Sequence, residues 1–443
     1  MLPGGIALFW GAFAVLYKWL APRGMKRFLF FAALFSVFEI LRGTVLTGFP
    51  WNPAGATWHA GGAMSQMAAY IGVYGLGFLT IAIFSSVAVI RRGEGWKGYV
   101  PAIGAFAVLI VCLAVGEARL LTTRIAYTSY IVRVVQPAIG QKEKWSGHAF
   151  DELFDAYVSM TRAAPKLGRA PDLVVWPEGA LPPPMEDLLA DDSWTAPILA
   201  TMLQDKQAFI MGVTRQDHDA TGHPVWRNAM MAMHQIGSHA MVDGFYNKYK
   251  LVPFGEFTPF QMLARKVGFK PLTHFDDSFT PGEPTRPVSF AAIPRFLPLI
   301  CYEGIFSALD PTDYRSSHDP ARPRWILNIS NDAWFGPTSG PVQHLNLASY
   351  RAIEEGLPMV RSTPTGISGL IDPLGRIIPA TELGLGQRGY RDLTLPQAGA
   401  LTPFASCHNA FVIFVTIFCL ILMTSDTLVL VIKKNGSRSG PSH

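Results

Sequence analysis

The chain is 443 residues long, 49% hydrophobic and 16% charged, with a net charge of +5 and a mean hydropathy of +0.24. That balance is too apolar for a soluble enzyme averaged along its length, and the length exceeds one ordinary domain. No long basic block of the kind that tracks nucleic acid is present, which argues against a nucleic-acid partner.

In chain order, apolar runs over Leu2–Leu20, Phe28–Thr47, Met64–Ile90 and Tyr99–Val115 come first, and Ala410–Ile432 forms a fifth. Each approaches the roughly 20 residues that a helix needs to cross a hydrocarbon core. No basic residue precedes the first run, and more runs follow at once, so it reads as a retained helix rather than a signal peptide. Basic residues cluster in three places: Lys18, Arg23, Lys26 and Arg27; Arg91, Arg92 and Lys97; Lys433, Lys434 and Arg438. The positive-inside rule assigns all three clusters to the cytoplasm. Alternation then puts residues 48–62 and 120–405 on the other face, the periplasm of a Gram-negative inner membrane. Within the second run, Glu39 and Arg42 stand one helical turn apart, either as a helix-interface pair with a snorkelling arginine or as a lipid-headgroup site.

The middle of the chain alternates strand-like and helix-like stretches, as an α/β domain does. Strands are expected over Tyr130–Val135, Leu173–Trp176, Ala208–Val213, Arg227–Met233, Phe296–Cys301, Trp325–Ile329 and Met359–Arg361. Helices are expected over Ala149–Ala163, Glu186–Met202 and Pro341–Glu355. The Pro-, Gly- and aromatic-rich segment Phe254–Glu283 reads as an ordered loop or lid. The expected domains are a membrane region of about four helices over residues 1–119, a catalytic domain over 120–405, and a C-terminal span with its tail over 406–443.

Cys112, Cys301, Cys407 and Cys419 show neither disulfide nor metal-ligand spacing. Cys112 and Cys419 fall inside apolar runs, as small hydrophobes do. Cys301 ends the apolar run Leu299-Ile300, just as Glu178 follows Leu173-Val174-Val175-Trp176-Pro177. Tyr246-Asn247-Lys248 lies between them, ahead of Leu251-Val252-Pro253-Phe254-Gly255-Glu256. Functional side chains converge at the carboxyl ends of strands in α/β layers. A thiol before a helix start and near a lysine would gain thiolate character, a carboxylate can act as its base, and a lysine can stabilise an oxyanion. Spacing alone also fits a buried structural cysteine, an ion-paired glutamate and a surface lysine.

The segments Val175-Trp176-Pro177-Glu178, Tyr246-Asn247-Lys248 with Val252-Pro253-Phe254-Gly255-Glu256, and Ile300-Cys301-Tyr302-Glu303 resemble the three signature blocks of the nitrilase, or carbon–nitrogen hydrolase, superfamily. Leu41-Arg42-Gly43, Thr47-Gly48-Phe49-Pro50-Trp51, Asn331-Asp332-Ala333-Trp334-Phe335-Gly336, and Gln343-His344 with Arg351-Ala352-Ile353-Glu354 extend the likeness to the apolipoprotein N-acyltransferase family. The resemblance implies an α/β fold, a four-layer α-β-β-α nitrilase sandwich joined to a small transmembrane helical bundle. It implies Glu178 as general base, Lys248 as oxyanion stabiliser and Cys301 as nucleophile. Glu256 matches a further active-site acid, Tyr302 and Glu303 match the positions after the nucleophile, and Glu303 also reads as a brace. Trp145 matches a tryptophan on an arm over the site, and Asn228 an amide near the acceptor region. His344 and Arg351 read as structural, and Asn331 and Asp332 as residues that fix the turn near the nucleophile. The implied reaction takes an acyl chain from phospholipid through a Cys301 thioester to the N-terminal amine of a lipoprotein, with no cofactor or metal.

The chain departs from the family pattern in three places. It starts close to the Leu41-Arg42-Gly43 block, with fewer helices ahead of it than bacterial members carry. Pro364 and Thr365 stand where the family has asparagines, and Gly179 replaces a hydroxyl-bearing residue. In length and in these changes the chain resembles the shorter conjugal-transfer branch, which allows a role in plasmid conjugation. Two alternatives of other classes are a membrane-anchored amidase or nitrilase-type hydrolase with a narrow pocket, and a non-enzymatic envelope scaffold that would tolerate loss of Cys301.

Overall fold

The computed structural model describes residues 2–140, 149–237, 239–258, 278–310, 312, 314–418 and 420–421. They divide into two compact units, one formed by the described residues within 1–123 and 402–443, the other by those within Arg124–Leu401.

The first unit is helical: α1 (Leu2–Leu20), α2 (Arg27–Thr44), α3 (Ala68–Ser85) and α4 (Val100–Thr122). Among the described residues, three helical stretches, Arg27–Thr47, Met64–Val89 and Arg92–Thr122, are long and apolar enough to cross a membrane, and Gly4–Leu20 is a shorter apolar helix. Aromatic side chains join α1 to α2, with Trp10 stacked on Phe35 at 4.7 Å and Phe13 edge-on to Phe38 at 5.5 Å. Residues 410–418 and 420–421 of the expected fifth span are helical, and the rest of it, with Cys419, lies outside the described residues.

Glu39 and Arg42 have a local task. Glu39 Oε1 accepts from the Ala54 amide at 2.9 Å, Arg42 Nη1 donates to the Trp51 carbonyl at 2.7 Å, and the two side chains approach to 3.5 Å. The pair thereby satisfies one amide and one carbonyl within residues 48–62, where unpaired polar groups would be costly.

The second unit contains two sheets. The first has the order β11-β1-β2-β3-β4-β5, with β1 (Tyr127–Gln136), β2 (Leu173–Val175), β3 (Ala208–His218), β4 (Pro224–Ile236), β5 (His239–Asn247) and β11 (Gly389–Pro396). The second has the order β10-β9-β8-β7-β6, with β6 (Val288–Phe290), β7 (Ile293–Ile300), β8 (Trp325–Ile329), β9 (Met359–Ser362) and β10 (Gly369–Ile371). The centre of each sheet is parallel (β1-β2-β3 and β7-β8-β9), and the outer strands are antiparallel. Continuous apolar runs such as Leu173-Val174-Val175 and Trp325-Ile326-Leu327 suit strands covered on both faces.

Val132, Val134, Val175 and Ile210 from the first sheet share one core with Phe296, Ile300, Leu327 and Val360 from the second. The outer face of the first sheet puts Trp176, Phe209 and Met211 against Phe154 and Tyr157 of α5 (Ala149–Arg162). The outer face of the second puts Leu299, Ile326 and Met359 against Ala348 and Ala352 of α8 (Gly340–Glu355). Helix, sheet, sheet and helix therefore form the four layers expected.

Some elements differ from expectation. Glu186–Met202 is not one helix but two short ones, α6 (Met185–Leu188) and α7 (Thr195–Thr201), because Asp191, Asp192 and Ser193 favour turns over helix interior. Strands β5, β6, β10 and β11 were not foreseen. Pro403–Cys407 forms α9 within the first unit, where Phe404 lies against Gly72 of α3.

Candidate active site

The carboxyl ends of β2, β5, β7, β8 and β9 carry the chemically loaded side chains. Strand β2 ends at Val175, and Trp176 remains tied to the first sheet through its amide to the Ile210 carbonyl at 2.9 Å. Glu178 follows, with Ala180 bonded back to the Gly212 carbonyl at 3.0 Å. A Cβ at Gly212 would sit 2.5 Å from both Glu178 Cα and the Pro177 oxygen, so only glycine allows this approach.

Lys248 stands immediately after β5, with its amide on the Asn228 carbonyl at 2.8 Å. Its ammonium is 1% exposed and binds Glu178 Oε1 at 3.1 Å and Glu256 Oε1 at 2.9 Å. Asn228 Nδ2, on β4, donates to the same two oxygens at 2.8 and 2.7 Å. Glu256 Oε2 accepts from the Val252 amide at 2.8 Å, which fixes the far end of this bridge. Burial opposes the Lys248 charge, but Glu178, Glu256 and Cys301 outweigh it and hold its pKa above the ordinary lysine range. Among the described residues, Glu178 Oε2 is buried without a hydrogen-bond partner.

Cys301 follows β7 with a left-handed φ of 49°, a conformation that strains a non-glycine residue by about 1–3 kcal/mol. The thiol is buried, bonds to Ser330, and lies within the fields of Glu178, Lys248 and Asp332. Burial, joined by Glu178 and Asp332, pushes its pKa up against the opposing pull of Lys248 and Ser330. The expected thiolate character is therefore not a property of the free site. The following helix is a single 3₁₀ turn, Cys301–Ile305, and supplies no dipole comparable to a long helix.

Glu303 braces this turn. Its Oε2 accepts from the Ile300 amide at 2.7 Å, and its Oε1 accepts from the amides of Tyr249 at 2.7 Å and Lys250 at 3.1 Å and from the Tyr246 hydroxyl at 2.8 Å. One carboxyl thus ties the strand that leads into Cys301 to the strand that leads into Lys248. Complete burial raises its pKa to about 7 despite these donors. Tyr302 is buried with its ring edge-on to Phe306 at 5.1 Å.

The fold thus brings Glu178, Lys248, Cys301, Glu256, Asn228, Tyr302 and Glu303 into one region. Trp145 lies outside the described residues, as do residues 259–277 of the proposed lid. Sequence reasoning missed Ser330, although its place just after Ile329, at the end of β8, was a usable signal. A cavity of about 230 Å³ beside Asp332 includes Thr365, one of the positions that depart from the family pattern, together with Ala333, Gly336 and Leu385.

Residues 131–400 match the carbon–nitrogen hydrolase family, and residues 1–86 match the apolipoprotein N-acyltransferase N-terminal domain. The apolipoprotein N-acyltransferase of Caulobacter vibrioides is 43% identical over 403 residues, covering 91% of this chain and 74% of that protein. Those of Bradyrhizobium diazoefficiens and Rhodopseudomonas palustris are each 36% identical, over 416 and 414 residues, with 91% of this chain and 74% of each relative covered. The chain belongs to the apolipoprotein N-acyltransferase family, acyltransferases built on a carbon–nitrogen hydrolase domain.

Proposed function

We propose that the protein moves an acyl chain from a phospholipid, through a thioester on Cys301, to the N-terminal amine of a lipoprotein. The observation that carries this reading is the buried Lys248 ammonium bound to both Glu178 and Glu256, with the Cys301 thiol in the field of Glu178 and Lys248. A thiol whose pKa is raised needs a base, and Glu178 keeps an oxygen, Oε2, without a protein partner.

In the first half-reaction Glu178 takes the thiol proton as sulfur attacks the ester carbonyl of the donor. Lys248 stabilises the resulting oxyanion. The ester C–O bond then breaks, Glu178 returns the proton to the departing lysophospholipid hydroxyl, and the acyl group remains as a thioester. In the second half, the neutral α-amine of the acceptor attacks the thioester carbonyl and loses a proton to Glu178. The C–S bond breaks, the proton returns to sulfur, and an amide leaves. Each step balances with these side chains and the two substrates. Glu256 and Asn228 hold Lys248 and Glu178 in register throughout.

The reading includes a multi-pass protein of the bacterial inner membrane with the Arg124–Leu401 unit in the periplasm. Three apolar helices of membrane-spanning length and the basic clusters at Lys18–Arg27 and Arg91–Lys97 support it. The test is to incubate the detergent-solubilised protein with acyl-labelled phospholipid and a diacylglyceryl lipopeptide bearing a free amine. A lipopeptide heavier by one acyl group is the expected product. Release of free fatty acid alone, with the lipopeptide unchanged, would instead identify a hydrolase.

A further inference from the structure

A second buried polar cluster sits behind Cys301, apart from the Glu178–Lys248–Glu256 bridge. His344, on α8, puts Nε2 at 3.1 Å from the Cys301 carbonyl oxygen and Nδ1 at 2.9 Å from Asp332 Oδ1. A carbonyl can only accept, so Nε2 carries the hydrogen of that bond. Asp332 in turn accepts from Arg361 Nη2 of β9, at 3.0 Å on Oδ1 and 2.9 Å on Oδ2, and from Ser330 Oγ at 2.9 Å. Arg361 also bonds Asn328 in β8, and Asn328 Nδ2 donates to the Leu299 carbonyl of β7 at 3.1 Å. Asp332, His344, Arg361, Asn328 and Ser330 are all at most 1% exposed. Gly366 closes the cluster, since a Cβ there would lie 2.4 Å from Asp332 Oδ2.

The Cys301 carbonyl and the Tyr302 amide belong to one planar peptide. Holding the carbonyl from behind therefore sets the direction of the Tyr302 N–H, the amide that follows the nucleophile. It also maintains the left-handed backbone of Cys301, which has little intrinsic stability of its own. Burial works against the Asp332 charge, but Arg361 and His344 hold its pKa well below the usual carboxylate range, so the anchor of the cluster is a carboxylate.

We propose that His344 is a positioning residue for catalysis, holding the Cys301–Tyr302 peptide in its reactive orientation through a hydrogen bond anchored on Asp332 and Arg361. The proposal rests on Cys301 as the nucleophile. It goes beyond a structural reading of His344 by assigning its effect to one peptide and one reaction step.

The experiment is single-turnover formation of the Cys301 thioester from labelled phospholipid by the full chain in detergent, comparing wild type, His344→Gln and His344→Leu. Glutamine retains a donor near the position of Nε2, whereas leucine does not. His344→Leu is expected to slow thioester formation by about tenfold or more, with little change in half-saturating phospholipid. His344→Gln is expected to recover most of that rate. Equal rates in all three proteins would overturn the proposal. So would equal slowing in both variants, which would mark loss of packing rather than of the donor. Iodoacetamide labelling of Cys301 in the same proteins reads the same order without phospholipid. If wild type forms no thioester but labelling still follows that order, the acyl-transfer reading falls and the positioning role stands.

Discussion

Replacing Lys248 by methionine removes the ammonium from Glu178 Oε1 and Glu256 Oε1 and leaves Asn228 as their remaining common donor. Thioester formation should fall by about a hundredfold or more, the scale of losing an oxyanion donor. Stability should fall as well, because Glu178 and Glu256 lose the cation they share. Thermal unfolding of the solubilised protein measures it, and a Tm equal to that of wild type would show that the bridge carries no such charge balance. Glu178, Lys248 and Cys301 were legible in the sequence because each ends or follows a block with a distinctive neighbourhood. Asn328 and Arg361 were not. A polar residue inside a buried apolar strand has no pattern of its own, and its role emerges only from the strands beside it.

At the scale of elements, β1 and β11 show what pairing adds to periodicity. Arg133 interrupts an apolar strand, and its side chain is buried among Asp392, at 2.7 and 2.9 Å, and the carbonyls of Met160, Thr161 and Ala163 at the end of α5. One guanidinium thus closes a helix C-terminus and fixes an edge strand to the sheet. Arg133→Met should destabilise the folded protein by about 3–5 kcal/mol, because Asp392 would be left buried and uncompensated. Chemical denaturation of the solubilised protein measures it, and a loss within about 0.5 kcal/mol, as for a surface site, would contradict the assignment. The same strands explain where sequence reading stopped. Strands β2, β7 and β8 were visible as apolar runs, whereas β11 (Gly389–Pro396) carries Arg391 and Asp392, and β5 (His239–Asn247) carries His239, Asp243 and Gly244. A partly exposed edge strand lacks the continuous apolar signal of a central one. Lys248 was therefore identified from its block without the strand that delivers it.

Across the whole molecule, the Arg124–Leu401 unit keeps several carboxyls away from water, and its stability should carry their signature. Burial first, then Glu354 and Asp310, raise Glu355 from 4.5 to about 8 in the folded state. Between those values the folded protein holds a proton that the unfolded chain has released, so this contribution to stability falls as pH rises from 4.5 to about 8 and is constant above. Glu355→Gln should flatten the thermal-stability profile over that window, and an unchanged slope would contradict the assignment. The central claim joins the two units: apolar helices long enough to span a bilayer in one, and a buried thiol beside a Glu–Lys–Glu bridge in the other. Its most direct test is mass spectrometry of the intact, folded protein after exposure to acyl-labelled phospholipid with no amine acceptor. One acyl group should accumulate on Cys301, discharge when a lipopeptide amine is added, and be absent from Cys301→Ala. A folded wild-type protein that carries no acyl group, or carries it on another residue, would contradict the claim.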